Sequence, residues 1–318
     1  KNTSLFIHRS AVQAFFPDNE TIPLPKGHRF PMGKYAALVD RVRALEPEGL
    51  RIEAAQAADD ATLATVHDVG YVQAVQQGTL PAGAQREIGL PWSPALVQRA
   101  RRSVGATVAA AQAAMREGLA CNLAGGTHHA KAAAGGGFCI FNDVAVAARV
   151  LQQTWPRQVK RVAVVDLDVH QGNGTADIFA NDHSVFTLSL HGEKNFPFRK
   201  ARSSLDVPLP DDCDDARYLE ALRQALPAVA AFGPDAVFYV AGADVLASDR
   251  LGRLALTPAG MAQRDAEVLQ WTRALGIPMT LTMGGGYADP IDITVQAQAQ
   301  TIALALQAWR GHAGAGLT

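Results

Sequence analysis

Four apolar residues, Val162-Ala163-Val164-Val165, run directly into Asp166-Leu167-Asp168-Val169-His170-Gln171-Gly172-Asn173-Gly174. The apolar run reads as a strand buried on both faces, the pattern of a parallel sheet covered by helices. Where it ends, two carboxylates and an imidazole emerge as the chain turns through glycines. Side chains alternate faces on an extended backbone, so Asp166, Asp168 and His170 point the same way. Two of them can share a divalent cation while the third orients a neighbour. Unpaired carboxylates beside a hydrophobic strand are costly to bury, and a metal is the simplest reason for them.

The rest of the chain repeats this alternation. Strand-length apolar runs occur at Ser4–His8, Ala120–Leu123, Val162–Val165, Val185–Leu190, Ala236–Ala241 and Pro278–Met283. Helical patterns cover Ser93–Glu117, Phe141–Gln153, Tyr218–Phe232, Thr257–Leu275 and Ile293–Trp309. Ser93-Pro94 and Thr257-Pro258 each supply an N-cap followed by proline at the first helical position. Such alternation predicts an α/β fold, a mostly parallel sheet flanked by helices. With no internal repeat, low-complexity tract or long linker, residues 1–318 are expected to form a single domain.

Apolar residues make up 48% of the chain, enough for a sizeable core. Charged residues make up 19% and the net charge is −1, which points away from nucleic acid or an anionic membrane as a partner. Cys121, Cys139 and Cys213 form no CxxC pair, and an odd number fits a reducing compartment. No run reaches the roughly 20 apolar residues of a membrane span, and no signal-peptide pattern opens the sequence. A soluble cytoplasmic protein is expected, with a homo-oligomer left open.

Polar clusters fall at the carboxyl ends of the expected strands: Gly125-Gly126-Thr127-His128-His129, the Asp166 cluster, Ser189-Leu190-His191, Gly242-Ala243-Asp244 and Gly284-Gly285-Gly286-Tyr287. Ligands of open parallel sheets bind along that edge. Asp168, His170 and Asp244 offer two oxygens and a nitrogen with positions left open, the pattern of catalytic zinc, and the same set would hold Fe(II). One of His128 and His129 can take a proton from water and return it to a leaving group, while the other stabilises developing negative charge. Asp166 and Asn173 are near enough in sequence to fix their tautomers. Tyr287, after three glycines, can donate a hydrogen bond to an oxyanion. Together these residues describe metal-assisted hydrolysis of an amide. No GxSxG elbow or P-loop is present, and Gly135–Gly137 lack the strand–turn–helix setting of a dinucleotide site.

Gly126-Thr127-His128-His129-Ala130, Gly137-Phe138-Cys139-Ile140-Phe141-Asn142-Asp143, Asp166–Gly174, Gly242-Ala243-Asp244 and Gly285-Gly286-Tyr287 stand in the order seen in zinc-dependent histone deacetylases. The resemblance spans His28 to Trp309. With Arg250-Leu251-Gly252 and Thr257-Pro258-Ala259-Gly260 downstream, the chain looks most like the class IV branch and its bacterial relatives. The resemblance implies an arginase/deacetylase fold with a central eight-stranded sheet and zinc held by Asp168, His170 and Asp244. It implies His129 as general base and acid, His128 as electrostatic partner held by Asp166, and Tyr287 as the group polarising the acyl carbonyl. It further implies a potassium ion at Asp166, Asp168, the His170 carbonyl, Ser189 and the Leu190 carbonyl. Gly137, Phe138 and Leu251 match walls of an acyl-lysine tunnel, with Phe196 or Phe198 opposite. The implied substrate is an acyl-lysine protein or peptide, or a small acylated amine.

Some positions depart from the class I pattern. Asn173 stands where those enzymes carry Asp, Thr127 where they carry an aromatic residue, and Ile88–Ser93 lacks their acidic anchor for a peptide backbone. An arginase-type ureohydrolase needs a further Asp two residues past the ligand His, and here that residue is Gly172. An acetylpolyamine amidohydrolase favours entrance acids that are not evident in this sequence. A non-catalytic acyl-lysine binder would lack the tyrosine or a histidine. Outside the cluster, His67-Asp68 is expected to pack or cap a helix, and His191 is given no role, a place at the mouth being an alternative for it. His8, His183 and His312 read as surface residues, Cys139 as an inert thiol, and Asp211–Asp215 as a solvated loop.

Overall fold

Segments that are apolar without interruption become strands with no exposed position. In the computed structural model, which describes residues 11–17, 22–45 and 49–310, this holds for β3 (Leu119–Asn122), β4 (Val162–Asp166), β7 (Ala236–Val240) and β8 (Met279–Thr282). With β1 (Val12–Phe16), β2 (Leu50–Ala54), β5 (Val185–Gly192) and β6 (Leu205–Leu209) they form an eight-stranded, wholly parallel sheet of order β2-β1-β3-β8-β7-β4-β5-β6. The expected strand at Ser4–His8 lies outside the described residues.

Alternation along β4 shows how both faces are covered. Ala163 and Val165 join one core with Leu222, Val268 and Ile302, whereas Val162 and Val164 join another with Val144 and Leu151. The first three partners belong to α8 (Asp215–Phe232), α9 (Pro258–Ala274) and α10 (Asp292–Arg310), the other two to α6 (Asp143–Thr154). The long α5 (Pro94–Glu117) packs beside α6. Its N-cap Ser93 accepts a hydrogen bond from the Leu96 amide at 3.1 Å, and Thr257 does the same for Gly260 at 3.0 Å, so both expected Ser/Thr-Pro starts are real caps.

Strands β1, β2 and β6 were not anticipated. Strands β2 and β6 are half-exposed edges with mixed composition, Leu-Arg-Ile-Glu-Ala and Leu-Asp-Val-Pro-Leu, and Pro208 is tolerated because an edge strand has an unpaired side. Acidic residues 211–215 lie at the surface, with Asp212 and Asp214 exposed, yet three of their carboxylates are engaged. Asp211 pairs with Arg253, Asp214 caps α8 at the Arg217 amide, and Asp215 accepts from both the amide and hydroxyl of Thr257. Their carboxylates thus tie the starts of α8 and α9 together.

A buried cation braces the sheet edge that carries the polar clusters. Arg264 of α9 has no exposed surface, pairs with Asp265 at 2.8 Å and donates to the carbonyls of Leu167 at 3.2 Å and Gly242 at 2.7 Å. Asp265 in turn accepts from Tyr239 and Thr301, each at 2.5 Å. Arg264 therefore pins the first loop residues after β4 and β7 to each other. Breaking such a pair leaves a buried carboxylate and two carbonyls uncompensated. Arg264→Met is expected to lower unfolding free energy by roughly 3–5 kcal/mol, read from the midpoint of a denaturant titration.

Candidate metal centre and active site

The sheet order brings β3, β8, β7, β4 and β5 side by side, so the loops after them meet at one edge. Asp166 closes β4 and lies in register with Val240 of β7 and Ser189 of β5. Two residues further on, the chain reaches the centre of the site. Donor atoms of Asp168, His170 and Asp244 all lie within 4.8 Å of one another, and all three residues are buried. The His170 Nδ1 is 3.0 Å from Asp168 Oδ1 and 3.1 Å from Asp244 Oδ2. Backbone amides hold the outer oxygens: Gly285 donates to Asp168 Oδ2 at 2.6 Å and Val169 to Asp244 Oδ1 at 3.0 Å.

These three residues could hold a metal ion, and their charges are tightly linked. Burial, with Asp168 nearby, pushes the Asp244 carboxyl up to about 7. Burial alone would lower the His170 imidazole, yet hydrogen bonds to Asp168 and Asp244 raise it to about 10. The His170 imidazole thus sits between the two carboxylates as their common hydrogen-bond partner. The donor set, two oxygens and a nitrogen with room for further ligands, fits zinc in its catalytic form.

The paired histidines share a geometry and differ in partner. His128 Nδ1 donates to Asp166 Oδ2 at 2.6 Å, and His129 Nδ1 donates to Asn173 Oδ1 at 2.6 Å. Burial would lower His128, but the Asp166 and Asp168 carboxylates outweigh it and raise the ring to about 9. Burial and the neighbouring His128 and His170 hold His129 well below its ordinary value. His129 is therefore a neutral ring whose Nε2 lone pair is available. Tyr287 is buried and faces the Asp244 and Asp168 carboxylates, and both effects raise its phenol well above the usual range, so it remains a donor.

A cavity bounded by Phe30, Tyr35, Phe138 and Cys139 reaches His128, His129, Asp168, His170 and Tyr287. Gly137 also lines it, at φ 52°, where a Cβ would come within 2.5 Å of the His129 ring and 3.0 Å of Phe196. Phe138 is held in the left-handed region, φ 67°, by its amide on the Ile88 carbonyl at 2.8 Å, which turns its ring toward Tyr287 at 6.1 Å. Of the two phenylalanines expected opposite, Phe196 stands edge-on to His129 at 4.9 Å, while Phe198 is 89% exposed and reaches only Phe196, at 6.4 Å. Leu251 is half-buried and outside this lining, its carbonyl accepting from Asn195 at 2.7 Å. Ser189 Oγ lies 3.0 Å from His191 Nδ1. His191 is buried within β5, in register with Pro208 and on the same side as Ser189.

His67 is a structural link: its Nδ1 donates to the Lys131 carbonyl at 3.0 Å, its Nε2 accepts from the Asn142 amide at 2.9 Å, and Asp68 caps the next helix at Tyr71. Burial lowers His67 to about 4, so it stays neutral. His183 is exposed, and His8 and His312 lie outside the described residues. Burial pushes the Cys139 thiol far up, consistent with an inert group. Gly172, the position an arginase-type Asp would occupy, leaves no room for a side chain because a Cβ there would fall against Asp166 Oδ2.

Three positioning residues escaped the sequence reading. Asp143, fully buried, accepts from the amides of Gly126 at 3.0 Å and Thr127 at 2.7 Å and from the Thr107 hydroxyl at 2.6 Å, which sets the loop before the histidines. Asp249 accepts from the Tyr287 amide at 2.6 Å and from Leu251 and Gly252 at 2.8 and 2.9 Å. Lys34 donates to the Gly286 carbonyl at 3.1 Å, 5.0 Å from the Tyr287 ring centre. An acid beside Arg250-Leu251-Gly252 was the available signal for Asp249; nothing local marks Lys34.

Comparison with known proteins agrees with this geometry. Residues 28–304 match the histone deacetylase domain model, and the chain belongs to the histone deacetylase family. It is 48% identical over 281 residues to an uncharacterized protein of Picosynechococcus, covering 87% of this chain and 92% of that one. Histone deacetylase 2 of Arabidopsis thaliana is 33% identical over 235 residues, covering 71% of this chain and 60% of its own length. Among solved structures, the acetylpolyamine aminohydrolase of Burkholderia pseudomallei superposes with TM-score 0.74 at 25% identity, over 95% of this chain and 100% of that one. The HDA15 HD domain gives 0.75 at 25% identity, over 93% and 88%.

Asp249 supports the tyrosine through its backbone amide, so its removal should loosen Tyr287. Asp249→Ala is expected to speed hydrogen exchange at the Tyr287 amide about tenfold or more, read by exchange mass spectrometry of the peptide that carries it.

Proposed function

We propose that the chain is a zinc-dependent deacylase that hydrolyses the amide of an acylated lysine side chain or a similar amine. The reading rests on one juxtaposition: a buried Asp168–His170–Asp244 triad beside two histidines whose Nδ1 atoms are both engaged. Those three residues would hold zinc, which would supply Lewis-acid polarisation of the acyl carbonyl and of water. His129, neutral because it is buried beside two other imidazoles, accepts the proton of the attacking water at Nε2 and delivers it to the departing amine. His128, paired with Asp166, offsets the negative charge that develops. Tyr287 donates a hydrogen bond from its phenol to the tetrahedral oxygen, and Phe138 and Phe196 confine the acyl-bearing stem. Water's oxygen joins the acyl carbon, the C–N bond breaks and the amine leaves with a proton.

A potassium ion at Asp166, Asp168, Ser189 and the carbonyls of His170 and Leu190 belongs to the same proposal; the register pairing of Asp166 with Ser189 supports it. A small acylated amine is the second reading, favoured by full coverage of the Burkholderia acetylpolyamine aminohydrolase. Among the described residues no helix is long and apolar enough to cross a membrane, and a cytoplasmic site of action rests on the sequence composition.

A fluorogenic acyl-lysine assay tests the proposal. Turnover should vanish with chelator and return with zinc, and a zinc-loaded chain inert toward every acyl length would sink it. Tyr287→Phe should lower kcat by roughly 10²–10³ with zinc retained. Asn173→Asp places a carboxylate on the His129 Nδ1, which stabilises the imidazolium and raises its pKa. The base then stays protonated to higher pH, and the acidic limb of the kcat/KM profile should move upward. An unmoved limb would show that Asn173 does not set the basicity of His129.

A further inference from the structure

Gln171 directly follows His170, has no exposed surface and takes no part in the chemistry described above. Its side chain reaches the β5–β6 connection, residues 193–204, which form neither helix nor strand. Gln171 Nε2 donates to the Ala201 carbonyl at 2.9 Å and to Asp206 Oδ1 at 2.7 Å. Gln171 Oε1 accepts from the Ala201 amide at 2.8 Å. Oxygens face one end of the side chain and an N–H faces the other, so an amide fits where a carboxylate would meet oxygen on oxygen. Asp206 is itself fixed, accepting from the Ser203 amide at 2.8 Å and lying in register with Ser189 of β5.

The connection anchored in this way carries Phe196, whose ring stands against His129. Glu193, Lys194, Phe198 and Arg199 around it are exposed, and a surface segment of that kind moves unless it is tied down. Two further ties bracket the ring. Lys200 Nζ donates to the carbonyls of Asn195 and Pro197, each at 2.6 Å, one on either side of Phe196. The buried Asn195 donates to the Leu251 carbonyl at 2.7 Å and accepts from the Arg253 amide at 3.2 Å.

We propose that Gln171 and Lys200 are positioning residues that hold Phe196 as a fixed wall against the stem of the acylated amine. This rests on the deacylase reading above. His170 and Gln171 are consecutive, so one short piece of backbone sets both the place of a metal donor and the place of the wall. The stem is then presented at a set distance from the groups that act on its amide. A wall touches the stem before and during the reaction alike, so its loss weakens both states together and is read in KM rather than kcat.

The test uses the full zinc-loaded chain and lysine substrates carrying acetyl, butyryl or octanoyl, and compares wild type, Gln171→Met, Phe196→Ala and the double variant. Methionine keeps the length of the side chain and removes its hydrogen bonds to Ala201 and Asp206. Gln171→Met should raise KM about tenfold, with kcat within about threefold of wild type and bound zinc unchanged. In the Phe196→Ala background the same change should move KM by less than about twofold, because the wall it holds is already gone. An equal rise in both backgrounds, an unaltered KM in the first, or loss of zinc overturns the proposal, and wild-type turnover then leaves the deacylase reading standing. Wild type inert toward all three substrates overturns both. Where Gln171→Met fails to fold, Lys200→Met, at a half-buried surface position, answers to the same comparison.

Discussion

Two aspartates buried at the ends of adjacent strands are the constraint around which this protein is arranged. Asp168 and Asp244 are 1% and 0% exposed, and β4 and β7, which deliver them, are hydrogen-bonded neighbours. Like charges in such proximity repel strongly in a medium of low polarisability. The surrounding structure answers with donors: amides of Gly285 and Val169, the His170 imidazole, and Arg264 braced against carbonyls of the same two loops. The folded state tolerates the pair because so many groups converge on it. That convergence also fixes the position of every neighbouring side chain.

The histidine pair shows how one substitution in a partner divides labour between similar groups. Both rings are buried, both donate from Nδ1, and both hydrogen bonds measure 2.6 Å. One partner is a carboxylate and the other an amide. Nearby carboxylates drive the first ring up, whereas burial and two neighbouring imidazoles hold the second down, so a charged ring adjoins a neutral one. Geometry is duplicated; electrostatics is not.

Strands β3, β4, β5, β7 and β8 and the reactive loops could be read from the sequence because their information is local. Val162–Val165 is apolar at each position because helices cover both faces, and Asp168 and His170 follow within five residues. Asp244 joined them through its place after another such strand. The edge strands could not be read, since β2 and β6 face water on one side and carry charges and a proline. Supports such as Asp249, Asp143 and Lys34 act across separations of 38, 17 and 252 residues, and no local pattern encodes a contact of that kind. His191 lies inside β5, whose period-two alternation carries it to the same buried side as Ser189.

Gly172 has a further consequence. One base separates a glycine codon from an aspartate codon, and an aspartate here is what two-metal ureohydrolase chemistry on this scaffold would recruit. Yet any Cβ at this position falls against Asp166, which is itself committed to His128. The change is therefore close in the genetic code and blocked sterically unless Asp166 is altered as well, and altering Asp166 releases His128. Passage between the two chemistries must cross an epistatic valley in which neither works.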